Sequence, residues 1–379
     1  MFRQAASIVL VSILLSGCGL WGGSDEIEPN KLVDFTAEKK VIVQWSADIG
    51  GDLGDKFHQI VPAISGDYIY ASSINGDISS FNVDTGARQW VVELDVTLLA
   101  GIGAGANKLV VVTESAEVIC LDAKTGQEIW RKQVSSEVVA EPQLNKQLVV
   151  VQLISGKVIA LDALTGAERW VYDSIVPRLT LRGTSSPLVA ADVTLAGLDN
   201  GKFIALDNET GAVLWEQNVS LAQGRSELER MTDVDGRPLL FENVVYIPGF
   251  QGNVVAINPF NAQTLWAKKM SSYHSLAAGF GNIYVSESGD HVQALDARSA
   301  ASVWKQDQLE NRQITAPAVI GNAVVVGDVE GYIHFISQID GHFVARYDAG
   351  SRLVGDMKVK GSTLYVLTDA GRLLALTLN

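Results

Sequence analysis

One phrase recurs along most of this chain: glycine, a variable residue, two apolar residues, a small residue, leucine, aspartate, then threonine-glycine, then tryptophan. The stretch from Gly156 to Trp170, GKVIALDALTGAERW, is its clearest copy. Gly76 to Trp90, Gly201 to Trp215 and Gly252 to Trp266 have the same length, and Ala116 to Trp130 and Asp290 to Trp304 fit with the glycine replaced. Gly331 opens a seventh copy whose tryptophan place is Ala345, and Gly371 an eighth that reaches Asn379 before its tryptophan. Successive copies lie 38 to 51 residues apart. A repeat of that period is one supersecondary unit, which can bury its apolar surface only against its neighbours.

Each unit reads as four short strands, A to D. Pro62, Pro142, Pro187, Pro238 and Pro317 each stand fourteen residues before their repeat's glycine position. There the proline opens strand A, where a missing N–H is tolerated. Strand B is apolar, as in Leu109–Thr113 or Val244–Ile247. In strand C both alternating sets are apolar, Val158 with Ala160 and Ile159 with Leu161, the pattern of a sheet covered on both faces. The Asp…Thr-Gly stretch is a turn, and strand D ends in the tryptophan. The expected fold is an all-β, eight-bladed β-propeller of four-stranded antiparallel blades. Trp45, Trp90, Trp130, Trp170, Trp215, Trp266 and Trp304 are expected to be structural, packing blade against blade.

The ring must also close. Val41–Trp45 looks like a strand D with no A, B or C before it, and Met357–Leu378 supplies A, B and C with no D. Pairing the N- and C-terminal strands completes the eighth blade and leaves no unpaired edge at either fragment. Length alone, 379 residues, would indicate two or three domains; one ring accounts for all of residues 41–379.

Residues 1–17 read as a signal peptide: Arg3 is a short positive region, and Ala5–Leu15 is an apolar run of eleven residues, too short to span a bilayer. Leu15-Ser16-Gly17-Cys18 resembles the bacterial lipobox, which makes Cys18 the lipidated first residue of the mature protein. Gly19 follows; by the same resemblance, the absence of Asp there points to an outer-membrane anchor facing the periplasm. Residues 18–40 are expected to be the lipidated cysteine and a polar tether. The formal charge of −14 disfavours nucleic acid as a partner.

Motifs for chemistry are sparse. Cys18 and Cys120 are the only cysteines; Cys120 lies in an apolar run and reads as a buried, inert thiol. The five histidines, His58, His274, His291, His334 and His342, have no metal-ligand spacing. Asp233-Val-Asp235-Gly236 begins like a calcium loop but lacks its glycine and closing glutamate. No cofactor or catalytic residue is expected.

At the repeat positions, over roughly residues 41–379, the chain resembles the PQQ-like repeat family, whose A-x-D-x-x-T-G-x-x-x-W pattern also occurs in quinoprotein dehydrogenases. Those enzymes carry an adjacent cysteine pair and a longer chain, neither of which is present here. With the lipobox and a single acidic propeller, the chain more closely resembles the BamB family of outer membrane protein assembly factors. That resemblance implies a non-enzymatic scaffold of the β-barrel assembly (BAM) complex, with other BAM members as partners and docking on a periplasmic POTRA domain of BamA. Contact with unfolded outer membrane protein substrates is left open. Leu179-Thr-Leu181-Arg182-Gly183 is similar to the family's L-x-L-R-G motif and Asp233-Val-Asp235 to its D-V-D motif. The family's partner-binding role therefore falls on Leu179, Leu181, Arg182, Asp233 and Asp235. A quinone-binding propeller, or one that takes peptide or polysaccharide in its funnel, is the alternative.

Loop lengths point to the same place. All D-to-A connections lie on one rim. Trp130 to Pro142 is 12 residues and Trp304 to Pro317 is 13, but Trp170 to Pro187 is 17 and Trp215 to Pro238 is 23. The two long connections are consecutive and flank the fourth blade, so they are expected to be neighbours, and long loops on a rigid scaffold carry function.

Overall fold

A computed structural model describes residues 28–54, 60–177, 185–220, 233–353 and 355–379. Among them run thirty-two strands in eight four-stranded antiparallel sheets. Seven sheets take four consecutive strands each. The eighth joins β1 (Val41–Asp48) to β32 (Arg372–Leu378), which continues to β31 (Thr363–Leu367) and β30 (Lys358–Lys360). Trp45 pairs with Ala375, so the termini close the ring as their patterns require. The A strands of neighbouring blades lie side by side at the axis, and the D strands form the outer edge.

The third blade shows how the repeat builds a blade. Its strands are β10 (Gln143–Leu144), β11 (Leu148–Gln152), β12 (Lys157–Asp162) and β13 (Glu168–Asp173). Strand A starts at the residue after Pro142, and the four central residues of β12 are all buried. Strand D does not end at the tryptophan: Trp170 is its third residue, and Val171, Tyr172 and Asp173 continue it toward the D–A rim. A bulge precedes the tryptophan, because Trp170 pairs with Ala160 while Leu161 pairs with Glu168, leaving Arg169 unopposed. Bulges of this kind re-aim the following side chain. The same register shift occurs in every blade, including the split one, where Gln44 is skipped between Val43 and Trp45.

The small residue of the repeat is the one that pairs with the tryptophan. Ser80, Cys120, Ala160, Ala205, Ala256, Ala294 and Ala375 face Trp90, Trp130, Trp170, Trp215, Trp266, Trp304 and Trp45 respectively. Cys120 is fully buried, and burial pushes its thiol up to about 12. In the seventh blade the sizes are exchanged, with Phe335 opposite Ala345.

Each indole then reaches the next blade. Its Nε1–H donates to the carbonyl that follows the turn aspartate or its equivalent: Val83, Ala123, Ala163, Asn208, Pro259, Ala297 and Gln338, at 2.8–3.3 Å. The turn is held by its own side chains; Asp162 Oδ1 accepts from the N–H of Leu164 and Thr165 and from the Thr165 hydroxyl. In the next copy the Thr210 hydroxyl and backbone N–H groups hold the Asp207 carboxyl below the usual range. The glycine after the threonine lies under the preceding blade's indole: a Cβ on Gly166 would sit 2.7 Å from Trp130.

Two further features cross between elements. The axis is bridged near the D–A rim by Lys358 Nζ donating to Glu141 Oε2 at 3.1 Å and by Arg237 Nη1 at 3.7 Å from Glu141 Oε1. These residues come from the eighth, third and fifth blades, so they can meet only across the channel. Burial opposes ionisation of Glu141, but Lys358 and Arg237 hold its carboxyl below the usual range. Second, residues 30–40 lie against the seventh blade: Glu38 N–H donates to Val344 O at 2.9 Å, and the tilted rings of Phe35 and Phe343 have centroids 5.5 Å apart.

Candidate functional site

In these antiparallel blades the D–A connections share a rim with the B–C turns, and the A–B and C–D turns occupy the other. The fourth blade, β14 (Leu188–Val189), β15 (Val193–Gly197), β16 (Lys202–Asp207) and β17 (Val213–Asn218), lies between the two long connections. Ser185 Oγ in the first donates to Gly236 O in the second at 3.2 Å. The two loops therefore meet across the end of this blade. Leu179, Leu181 and Arg182 lie outside the described residues, as does Cys18.

The second loop is anchored by packing. Asp233 forms an isolated bridge with Phe250, whose N–H donates to Asp233 O at 2.8 Å. Val234 is 1% exposed and packs on Gly197, where a Cβ would sit 2.5 Å from its side chain. Asp233 is fully buried, and its Oδ1 accepts from the Val234 N–H. Asp233 thus orients the loop rather than presenting a carboxylate to solvent. Asp235 is half-buried, with its Oδ1 buried.

A third carboxylate joins them. Asp199, in the B–C turn of the fourth blade, is 4% exposed. Burial, with Asp233 beside it, pushes its carboxyl up to about 7. Burial also holds Asp235 well above the usual carboxylate range, reinforced by Asp233 and Asp199. Like charges taken from water cannot all stay ionised, so this end of the blade is a proton-holding acidic cluster. Burial lowers His274 in the neighbouring connection to about 4. Its carbonyl lies 2.5 Å from where a Gly236 Cβ would be. Among the described residues no group of His, Cys, Asp or Glu has the geometry to hold a metal.

Loop-length reasoning followed only the D–A connections and so passed over Asp199, which lies in a B–C turn on the same rim. It also passed over Ile175, which is 86% exposed in the first connection and whose carbonyl accepts from Asn200. The described part of this rim thus carries buried carboxyl groups beside the exposed Ile175.

A family model described as outer membrane protein assembly factor BamB matches residues 74–306 and 288–379. The outer membrane protein assembly factor BamB of Pseudomonas aeruginosa is 44% identical over 375 residues, covering 98% of each chain. The chain belongs to the BamB family. Its counterpart from Legionella pneumophila is 35% identical, again over 98% of each chain. The crystal structure of BamB from Moraxella catarrhalis superposes with a TM-score of 0.83 at 26% identity, covering 89% of this chain and all of that one. A europium-containing methanol dehydrogenase shares the fold, with a TM-score of 0.71 at 13% identity. The BamB family is one of non-enzymatic outer membrane protein assembly factors, associated with the outer membrane and the BAM complex.

Proposed function

We propose that this BamB-family chain is a scaffold, anchored through lipid on Cys18 to the periplasmic face of the outer membrane, that docks a POTRA domain of BamA on its D–A rim at the fourth blade. Leu179, Leu181 and Arg182 supply apolar anchors and a guanidinium. Asp233 fixes the second loop, and Asp235 and Asp199 set the charge beside it. The observation that carries this reading is the meeting of the two long connections, tied by Ser185 and Gly236, at the end of one rigid blade. Arginine flanked by apolar side chains is a recurrent centre of protein interfaces. The Glu141–Lys358–Arg237 bridge crosses the axis beneath the rim, which argues against a quinone or glycan at that level of the funnel.

Affinity purification of the tagged chain from solubilised membranes tests the reading. BamA should co-purify with the parent and be lost with Arg182→Ala at equal recovery of folded bait. Recovery of BamA with neither bait would remove the reading. For the anchor, metabolic labelling with a fatty acid should mark the parent and not Cys18→Ala; equal label in both would end that part.

A further inference from the structure

The segment before the propeller is gripped by residues built for it. Arg312, from the connection between the sixth and seventh blades, is 1% exposed, and its Nε donates to Asp328 Oδ2 at 2.7 Å. Its Nη1 donates to the carbonyl of Asn30 at 2.6 Å, and its Nη2 to Glu330. Asp328 also bonds fully buried His334, whose Nδ1 accepts from Arg346 Nε at 3.2 Å. Arg346 in turn donates through Nη1 to the carbonyl of Val33 at 3.2 Å and lies 5.0 Å from the ring centroid of Phe35. Buried Arg312 and half-buried Arg346, linked through Asp328 and His334, thus both direct donors at main-chain carbonyls of the segment. His342 Nε2 at 3.0 Å from Glu38 Oε1, and Asn30 N–H donating to Glu310 O at 3.2 Å, extend the grip along the segment.

The direction of the segment matters. Lys40 exchanges backbone hydrogen bonds with Asn379, at the end of the closing blade where the other blades have their C–D turns. Asn30 lies with Glu310 and Arg312 in a D–A connection, beside the B–C turn of Asp328 and Glu330. The segment therefore crosses the blade from one rim to the other, and the chain leaves at the D–A rim. Only ten residues separate Cys18 from Glu28, a span of at most about 35 Å. Released from the blade, the same anchor would have the twenty-three residues to Val41, or roughly 80 Å.

We propose that residues 30–40 are a latch that orients the propeller on the bilayer, holding its D–A rim, the rim of the two partner loops, toward the lipid surface. This rests on the lipid-anchor reading above, and the test separates the two. The mature chain is anchored on vesicles either by its native lipid or by coupling Cys18 to a maleimide lipid; buried Cys120 does not compete. A donor dye is clicked onto an azide-bearing amino acid at position 348, at the D–A end of β29 (Phe343–Asp348), or 339, in the C–D turn of the same blade. Energy transfer to a headgroup-labelled lipid is then measured. The two sites are separated by the length of a six-residue strand, about 20 Å. Transfer from 348 should exceed that from 339 by about twofold or more. Replacing residues 29–38 with Gly/Ser of equal length, with folding of the propeller verified by circular dichroism, should abolish the difference. Equal transfer from both sites in the parent, or a difference that survives the replacement, would overturn the latch. If the coupled chain shows the difference and the native chain does not float with vesicles, the anchor reading fails and the latch stands.

Discussion

Each repeat tryptophan fills the bulged position of its own strand D, opposite a small residue, and donates its N–H to the turn of the next blade. Trp170 is 6% exposed and donates to Asn208 O at 2.8 Å. Trp170→Ala should cost about 3–5 kcal/mol, measured by denaturant unfolding; a loss under about 1 kcal/mol would mean the indole is dispensable. Ala345 stands where the other blades have tryptophan: Phe335 already occupies the facing volume, and the next blade has Lys40 and Asn379 where a Thr-Gly turn would be. Ala345→Trp should therefore destabilise by about 1–3 kcal/mol through overpacking, and Phe335→Ala in the same chain should recover part of it. Spacing in the sequence marked the tryptophans and the small residues but not their pairing, because the bulge shifts the register by one. At the acidic cluster, Asp199 holds its proton to about pH 7 when folded, against a usual value of 3.8. Between those values the native state binds a proton that the unfolded chain has released, so this group makes stability fall as pH rises through the window. Asp199→Asn should gain in melting temperature over the parent from about pH 4 to pH 7 and hold that gain above it. A gain that is constant with pH would show Asp199 ionised throughout.

At the level of elements, strand count and closure were legible because apolar alternation and the Pro-to-Gly phase repeat in every unit. Val41–Trp45 could be placed because a strand D without its blade has an unpaired edge. The structure confirms that β1 runs the full length of β32, from Val41 opposite Leu378 to Asp48 opposite Arg372. Removing residues 371–379 should leave β1 unpaired and one edge of β31 open, lower the melting temperature and broaden the transition. A truncated chain that melts as the parent does would show that closure contributes nothing. Loop lengths singled out the rim at the fourth blade as the expected partner surface, but the carboxyl cluster there was hidden, since Asp199 and Asp233 lie 34 residues apart in sequence and meet only in the fold.

Across the whole molecule, two arrangements had no sequence signature. The bridge of Glu141, Lys358 and Arg237 joins three blades that are not adjacent in the ring, and the latch joins residues 30–38 to side chains near residue 340. Polar composition made the latter look like plain tether; single contacts such as Phe35 on Phe343 leave no periodic trace. Together these features give the ring a bridged axis, an N-terminal segment held on the seventh blade and one rim with long loops. The central claim is that this rim at the fourth blade is the docking surface. The most direct measurement is the affinity of purified BamA periplasmic region for the parent, for Arg182→Ala, for Asp233→Ala/Asp235→Ala, and for an opposite-rim control, Phe280→Ala/Ile339→Ala, with folding checked by circular dichroism. Both loop variants, folded, should lose about tenfold or more in affinity, and the control, whose side chains are 61% and 73% exposed, should bind as the parent does. Folded loop variants with parental affinity, or a loss confined to the control, would contradict it.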